Sequence, residues 1–203
     1  MRSITISIRL VLMLIILFLG GCASMEQMQR GINEIDRFWG ESNKKIINAY
    51  GARLYAANKQ DILRSSCAAA RNLGFNSTVY ANEVKLVAKI PSPFTADEYK
   101  KIKEVEEPMM QAIAAKEVGQ FTSNFFYLSD KDFNIHGTLQ ATDHYDNPNV
   151  AEGKVLVSIN FYLQYIGSTY GIVFGHNPPP EAVRRGLAKY WAALDKELQV
   201  SSY

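Results

Sequence analysis

The spacing of hydrophobic positions changes several times along the chain, and each change predicts a different element. Residues 23–39 place apolar side chains three or four positions apart, which is typical of one face of an α-helix. These side chains are Met25, Met28, Ile32, Ile35 and Trp39. The face could pack on the protein's own core, lie on a lipid surface or meet a partner helix, and packing on the core is the default for such a stripe.

The segment 51–90 predicts a β-α-β-β unit. Residues 52–56 alternate like a short strand, and Asn58 is placed to cap a helix over 59–73. Gly74 is expected to end that helix in a left-handed conformation. Residues 75–80 and 84–90 then predict two strands.

A capping box marks the next helix. Thr95 and Glu98 have the spacing in which each side chain binds the other residue's backbone amide, so a helix is predicted from Thr95 to about Lys116. Pro108 lacks an amide hydrogen and is expected to kink this helix or to start a second one.

The two faces of this helix differ in polarity. The charged residues Lys100, Lys101 and 104–107 predict a solvated surface rather than a site. The apolar face, which we expect to be buried, consists of Tyr99, Ile102, Val105, Met109 and Ile113.

Alternating patterns dominate the second half of the chain. Strands are predicted over 121–128, 133–142 and 155–165, and a short one is possible at 170–174. Because polar residues occupy every second position, one face of the sheet is expected to be open to solvent, as in antiparallel sheets.

A closing helix is predicted after the three prolines 178–180, since proline is tolerated in the first turn. Its apolar stripe should cover the sheet. The stripe consists of Val183, Leu187, Tyr190, Leu194 and Leu198. The whole pattern predicts an α+β fold with a largely antiparallel sheet covered by helices.

The N-terminal residues have the composition of an export segment. Arg2 and Arg9 accompany an uninterrupted run of ten apolar residues, Leu10 to Leu19. A spanning helix needs about 20 apolar residues, and the extension back to Ile4 is interrupted by Thr5 and Ser7. The segment 1–21 is therefore predicted to be a removable signal peptide.

The end of that segment, Leu19-Gly20-Gly21-Cys22, resembles the lipobox of bacterial lipoproteins. The resemblance implies acylation of Cys22 and an effectively permanent membrane anchor, since several acyl chains together hold a protein far more firmly than one. Ala23 and Ser24 follow the cysteine where an aspartate would favour retention in the inner membrane. We therefore expect an outer-membrane anchor facing the periplasm, with the inner membrane and the cell surface left open. The alternative is an ordinary signal peptide followed by a cysteine by chance.

Loss of residues 1–21 would remove Arg2 and Arg9, which account for the whole formal charge of +2. No net positive charge then remains to attract nucleic acid, so no nucleic-acid partner is expected. The chain is predicted to consist of the signal peptide 1–21, a lipidated helical tether 22–50 and a single α+β domain 51–203.

The sequence contains no His-Glu-x-x-His or paired-cysteine zinc spacing, and no Gly-x-Ser-x-Gly elbow, P-loop or dinucleotide fingerprint. No cofactor is expected. His136 and His144 are eight residues apart on a strand, about 26 Å at ~3.3 Å per residue, which is too far for one metal ion. The segment 143–149 lacks the spacing and the glutamate of a calcium loop, so it predicts a polar turn. A hydrolase would need a cleft that gathers His136, His144 or His176 with acids or hydroxyls from other segments.

Cys67 would be the only free thiol once Cys22 is acylated. It lies among apolar residues at helical spacing, so we expect a small buried hydrophobic side chain rather than an intermolecular disulfide bridge or a reactive thiol.

The order of elements also resembles the helix-grip domains of small bacterial envelope lipoproteins. The residues that carry this resemblance are 52–58, leading into 68–75, and the closing run from Pro180 to Leu194. It implies a domain that makes protein contacts or holds an apolar ligand under a long helix.

Two functions follow as hypotheses. The first is a non-enzymatic envelope lipoprotein that serves an assembly through protein contacts, for which the stripe Met28, Ile32, Ile35 and Trp39 and the strand residue Tyr162 are the candidate interaction residues. The second is a module that binds a lipid or another apolar ligand between the sheet and the closing helix.

Overall fold

The computed structural model describes residues 23–167 and 175–201. The predicted strand at 170–174, the predicted signal peptide 1–21 and the predicted lipidation site Cys22 lie outside these residues. The elements described are α1 (Met25–Tyr50), β1 (Ala52–Tyr55), α2 (Lys59–Asn72), β2 (Asn76–Tyr80), β3 (Glu83–Lys89), α3 (Ala96–Ser123), β4 (Phe133–Thr142), β5 (Val155–Tyr165) and α4 (Pro180–Ser201).

The five strands form one sheet in the order β1-β5-β4-β3-β2, and every pairing is antiparallel. In the centre of the sheet Leu139 of β4 lies opposite Val84 of β3 and Ile159 of β5. The predicted α+β class with an antiparallel sheet is confirmed.

Helices α2 and α4 cover one face of the sheet. Because side chains alternate along a strand, Leu139 and Ile159 lie on the face that α2 and α4 cover. They belong to one buried apolar cluster with Ile62 of α2 and with Leu187 and Leu194 of α4. The opposite face is polar, with Gln140 and Asn160 exposed. The alternation along β4 and β5 therefore predicted the sides of the sheet correctly.

Local signals predicted several helix ends. The side chain of Asn58 accepts a hydrogen bond from the amide of Asp61 at the start of α2, and Gly74 follows that helix with a φ of 82°. At α3, Thr95 and Glu98 form the reciprocal capping box. These interactions involve neighbours in sequence, which is why the residue types alone predicted them.

Helix α1 packs on the body of the protein. Its stripe joins α3 in a second apolar cluster that contains Ile35, Trp39, Met110 and Ala114. The helix continues beyond Trp39 to Tyr50. None of the helices among the described residues is long and apolar enough to cross a bilayer.

Helix α3 differs from its prediction in where it breaks. Backbone angles stay helical at Pro108, and the non-helical residue is Gly119, with a φ of 78°. The predicted strand 121–128 is wrong, because α3 extends to Ser123 and irregular chain follows. The hairpin that this segment was expected to form with β4 is excluded, since both edges of β4 are already paired, one to β3 and one to β5.

The buried face of α3 is also rotated from the predicted one. Val105 is 50% exposed, whereas Glu106, assigned to the solvated face, is only 1% exposed. Burial of an acid is tolerated here because Glu106 Oε1 accepts a hydrogen bond of 2.6 Å from the amide of Glu181 at the start of α4. That partner is 75 residues away in sequence, so no local pattern could reveal it.

Candidate functional site

An apolar cavity of about 360 Å³ lies between α1, α3 and one end of the sheet. The sheet contributes two registered pairs, Phe133 with Tyr165 and Ile135 with Leu163. The rings of Phe133 and Tyr165 meet edge to face at 5.2 Å. The end of the sheet therefore forms the floor of the cavity from four apolar or aromatic side chains.

Helix α1 supplies the wall that the sequence predicted as an interaction stripe. Met28, Ile32, Ile35 and Trp39 all line the cavity. Ile35 and Trp39 are buried, while Met28 and Ile32 are partly exposed. The helical spacing of these four residues thus places them on one surface.

Aromatic residues from the irregular chain after α3 form the opposite wall. Phe125, Phe126 and Tyr127 line the cavity. Two polar side chains of α3 hold this chain in place: Gln111 Nε2 donates to the Phe126 carbonyl at 3.0 Å, and Glu107 Oε1 accepts from the Leu128 amide at 3.0 Å. The sequence did not predict this wall, because residues 121–128 were expected to form a strand. The three consecutive aromatic residues at 125–127 were the signal that could have indicated it.

The third wall is the segment 177–182 that leads into α4. Side chains from two other helices bind its backbone. Asp36 Oδ1 accepts from the Asn177 amide at 2.8 Å, and Asn43 Nδ2 donates to the Pro178 carbonyl at 2.8 Å. Together with the bond from Glu181 to Glu106, these contacts fix the wall against α1 and α3.

Polar groups at the cavity are few and mostly paired. The hydroxyl of Tyr99 donates to the Ser129 carbonyl at 2.8 Å, and burial raises the pKa of Tyr99 above its usual range, so this hydroxyl stays protonated. The side-chain hydroxyl of Ser129 donates to Asp132 at 2.5 Å. Trp39 differs, because its Nε1 is buried and has no acceptor within the described part of the chain.

The chemistry of the lining favours binding. The described lining residues include no histidine, cysteine, lysine or arginine, and their two carboxylates, Asp36 and Asp132, already accept hydrogen bonds. A cavity of this volume is within the range of small-molecule sites, which are mostly apolar with a few polar groups. The arrangement can hold an apolar chain.

The cavity does not lie between the sheet and the closing helix, where the sequence predicted space for an apolar ligand. The space between the sheet and α4 is filled, because Leu187, Tyr190 and Leu194 of α4 are 1% exposed or less and belong to the main core. A cavity lies instead at the end of the sheet, where residues of α1 and α3 line it. Cys67 packs against the main core, half-buried and unbridged.

Tyr162 lies away from the cavity, on the open face of the sheet. Its ring stacks on His136 at 4.8 Å, and His136 Nε2 lies 2.7 Å from Gln164 Oε1. Of the five predicted interaction residues, the structure therefore brings four together and leaves Tyr162 on a different surface.

The other candidates from the sequence have local roles. His144 Nδ1 lies 2.8 Å from the Val150 carbonyl, and Asp143 Oδ1 accepts from the amides of Tyr145 and Asp146, so this loop is a hydrogen-bonded turn between β4 and β5. His176 Nδ1 lies 3.4 Å from the Leu163 carbonyl. No three potential metal ligands come together within 23–167 and 175–201.

Comparisons with known proteins return no match. No protein-family model matches the chain, and neither curated proteins nor solved structures include a significant match. The resemblances to bacterial lipoproteins and to helix-grip domains therefore stay predictions from the sequence.

Proposed function

We propose that the protein is a membrane-anchored envelope lipoprotein whose folded part binds an apolar ligand, such as an acyl chain, in this cavity. The observation that carries the proposal is the cavity itself, about 360 Å³ lined by apolar and aromatic side chains from α1, the sheet and two connecting segments. Such surface is costly to leave in contact with water, at ~25 cal/mol per Å². An apolar occupant removes that cost.

Trp39 contributes to the cavity wall, whereas its Nε1 is enclosed and has almost no surface accessible from the cavity. The lining contains no lysine or arginine that would pair with an acidic head group. The proposed ligand is therefore defined by its apolar chain.

Binding should fail when a charge enters the cavity wall. We expect Ile32→Glu to weaken the binding of the fluorescent fatty acid cis-parinaric acid about tenfold or more, because the contact of an apolar side chain is worth about 1.5–3 kcal/mol. Ile32 is partly exposed in the free protein, so the helix itself tolerates the change. Fluorescence titration measures the dissociation constant.

Asn33→Glu is the matched control, since Asn33 is the next residue of α1 and is exposed. It adds the same charge outside the cavity and should leave the affinity unchanged. Equal loss in both variants, or no binding of the probe by the unaltered protein, would contradict the proposed site.

The anchor is the second part of the proposal and is supported by Leu19-Gly20-Gly21-Cys22. We expect Cys22→Ser to abolish incorporation of labelled palmitate in cells and to release the protein from the membrane fraction. Cys67→Ser, which removes the other thiol, should retain the label. Labelled Cys22→Ser protein would show that the anchor assignment is wrong.

The proposed location is the outer membrane facing the periplasm, with the inner membrane and the cell surface as alternatives. Fractionation of membranes together with protease accessibility in whole cells distinguishes the three.

The formal charge of zero after loss of residues 1–21 supports the absence of a nucleic-acid partner.

A second candidate function is contact with an envelope protein through the open face of the sheet. It is favoured by the stacked pair Tyr162 and His136, of which Tyr162 is 46% exposed, since aromatic residues are enriched at interfaces. A photo-crosslinker in place of Tyr162 should capture a specific protein in intact cells. If a crosslinker at the exposed position Asn160 of the same strand captures the same proteins equally well, this candidate loses its support.

A further inference from the structure

Three exposed aromatic side chains lie close together after the break in α3. Phe121, Phe125 and Tyr127 are 70%, 66% and 70% exposed, and we term them the aromatic patch. The rings of Phe121 and Phe125 meet edge to face at 5.8 Å. Exposed apolar clusters of this kind mark surfaces that contact a protein or a membrane.

The aromatic patch is at the end of the molecule where α1 begins. Arg30 Nε and Glu117 Oε2 form an ion pair at 3.0 Å, which places the first turns of α1 beside the last turns of α3. Phe121 lies two residues beyond the break at Gly119. Ala23 and Phe126, which is the neighbour of Phe125, both pack against the apolar cluster that contains Val118. The patch therefore lies within a few turns of residue 23.

The chain that precedes residue 23 indicates what covers the patch. Ala23 directly follows Cys22 and the ten-residue apolar run Leu10 to Leu19. Acyl groups on Cys22 would anchor the chain in a bilayer at this point, and so would the apolar run if it were retained. No linker separates either anchor from α1, which starts at Met25. A bilayer is consequently the nearest large apolar phase to the patch.

We propose that the aromatic patch docks on the bilayer in which the N-terminus is anchored, an inference that rests on the anchoring part of the proposed function. Phe121 and Phe125 enter the boundary between headgroups and acyl chains, about 5–10 Å deep. The hydroxyl of Tyr127 stays among the headgroups, as is typical of interfacial tyrosines.

Docking in this orientation also positions the cavity. Phe125 and Tyr127 belong both to the aromatic patch and to the cavity wall. The part of the cavity wall that they form would then face the lipid, and an acyl chain could enter from that side without crossing water. The proposal thus identifies the ligand source as the anchoring membrane itself.

The test uses the full acylated chain in vesicles of phosphatidylcholine and phosphatidylglycerol, with and without bromine on the acyl chains. Brominated lipids quench tryptophan only on close contact. In Phe121→Trp, the emission added by the new residue should fall with brominated lipid and resist aqueous iodide. In Tyr145→Trp, at the 93% exposed loop position between β4 and β5, the added emission should behave in the opposite way.

Phe125→Trp is the second probe, in case the first variant folds poorly, and it should behave as Phe121→Trp does. If protein that floats with the vesicles has both probes quenched by iodide and not by brominated lipid, docking is wrong while anchoring stands. Probes shielded from both quenchers would mean that a protein surface covers the patch, and docking is again wrong. If the protein does not float with the vesicles, both the anchor assignment and the docking proposal are wrong.

Discussion

Replacement of Trp191 by alanine is expected to lower the free energy of unfolding by about 3–5 kcal/mol, the usual cost of truncating a buried tryptophan. Trp191 is 2% exposed in α4 and lies between Tyr190, at 5.6 Å between ring centroids, and Tyr55, at 6.5 Å. The guanidinium of Arg53 lies 5.2 Å from the centre of its ring. The variant loses these contacts and leaves a cavity among three elements.

The indole nitrogen of Trp191 also contributes a hydrogen bond to stability. Nε1 donates a 2.8 Å hydrogen bond to the carbonyl of Tyr50, the last residue of α1, where carbonyl groups lack partners within the helix. Trp191→Phe keeps most of the ring packing and loses this bond, so we expect a smaller loss, about 1–1.5 kcal/mol.

Urea unfolding followed by circular dichroism measures both values, and this readout does not depend on the tryptophan that is removed. Tyr145→Ala, at a 93% exposed position, should change stability by about 0.5 kcal/mol or less. A Trp191→Ala protein as stable as the Tyr145→Ala control would show that α4 does not join α1 and β1 as described.

The second prediction concerns the buried acid Glu106. Burial raises the pKa of this carboxyl above its ordinary value of 4.5, and the negative charge of Glu181 adds to the effect. Above pH 4.5 the unfolded chain releases this proton while the folded protein still holds it. Protonation therefore favours the folded state, and the contribution of Glu106 to stability falls as the pH rises from 4.5 to the raised pKa.

Glu106→Gln should remove this pH dependence. The glutamine carbonyl can still accept the amide of Glu181, and the side chain has no proton to lose. Measured by urea unfolding at a series of pH values, the stability difference between variant and original should shift in favour of the variant as the pH rises above 4.5. Above the raised pKa the difference should be constant.

Other acids also contribute to the pH dependence of stability, but their contributions are the same in both proteins and cancel in the difference. A hydrogen bond from Lys189 lowers the pKa of Glu98, so Glu98 contributes stability that is lost as the pH falls, the opposite sign. Both proteins contain Glu98. The control Glu104→Gln changes an exposed acid of the same helix and should not reproduce the pH-dependent shift. A constant difference between Glu106→Gln and the original protein at all pH values would contradict the prediction.

The sequence predicted those parts of the fold that depend on near neighbours. The alternation in β4 and β5, the Asn58 cap, the capping box of Thr95 and Glu98, and the turn at Gly74 all agree with the structure. Each arises from interactions within about four residues, or from a two-residue or 3.6-residue period, which the sequence shows directly. The stripe Met28 to Trp39 likewise predicted a shared surface, although not what that surface lines.

The failures share a different cause. Val105 and Glu106 exchange their expected exposures because an amide of α4 reaches Glu106. Residues 121–128 form no hairpin with β4 because β4 is paired on both sides. The proline Pro108 stays helical while Gly119 breaks α3. In the first two cases a partner far along the chain overrides the local preference.

The sequence by itself determined the α+β class, most element types, and the polar and apolar sides of the sheet, because these follow from periodicity and caps. The export segment stays a prediction from composition. Only the tertiary structure decided where the cavity lies, that the aromatic patch lies beside the start of α1, and that Glu106 is buried. Those features depend on which distant segments meet: Arg30 and Glu117 are 87 residues apart, and Asn43 and Pro178 are 135 apart. Contacts over such separations leave no period in the sequence of a single chain.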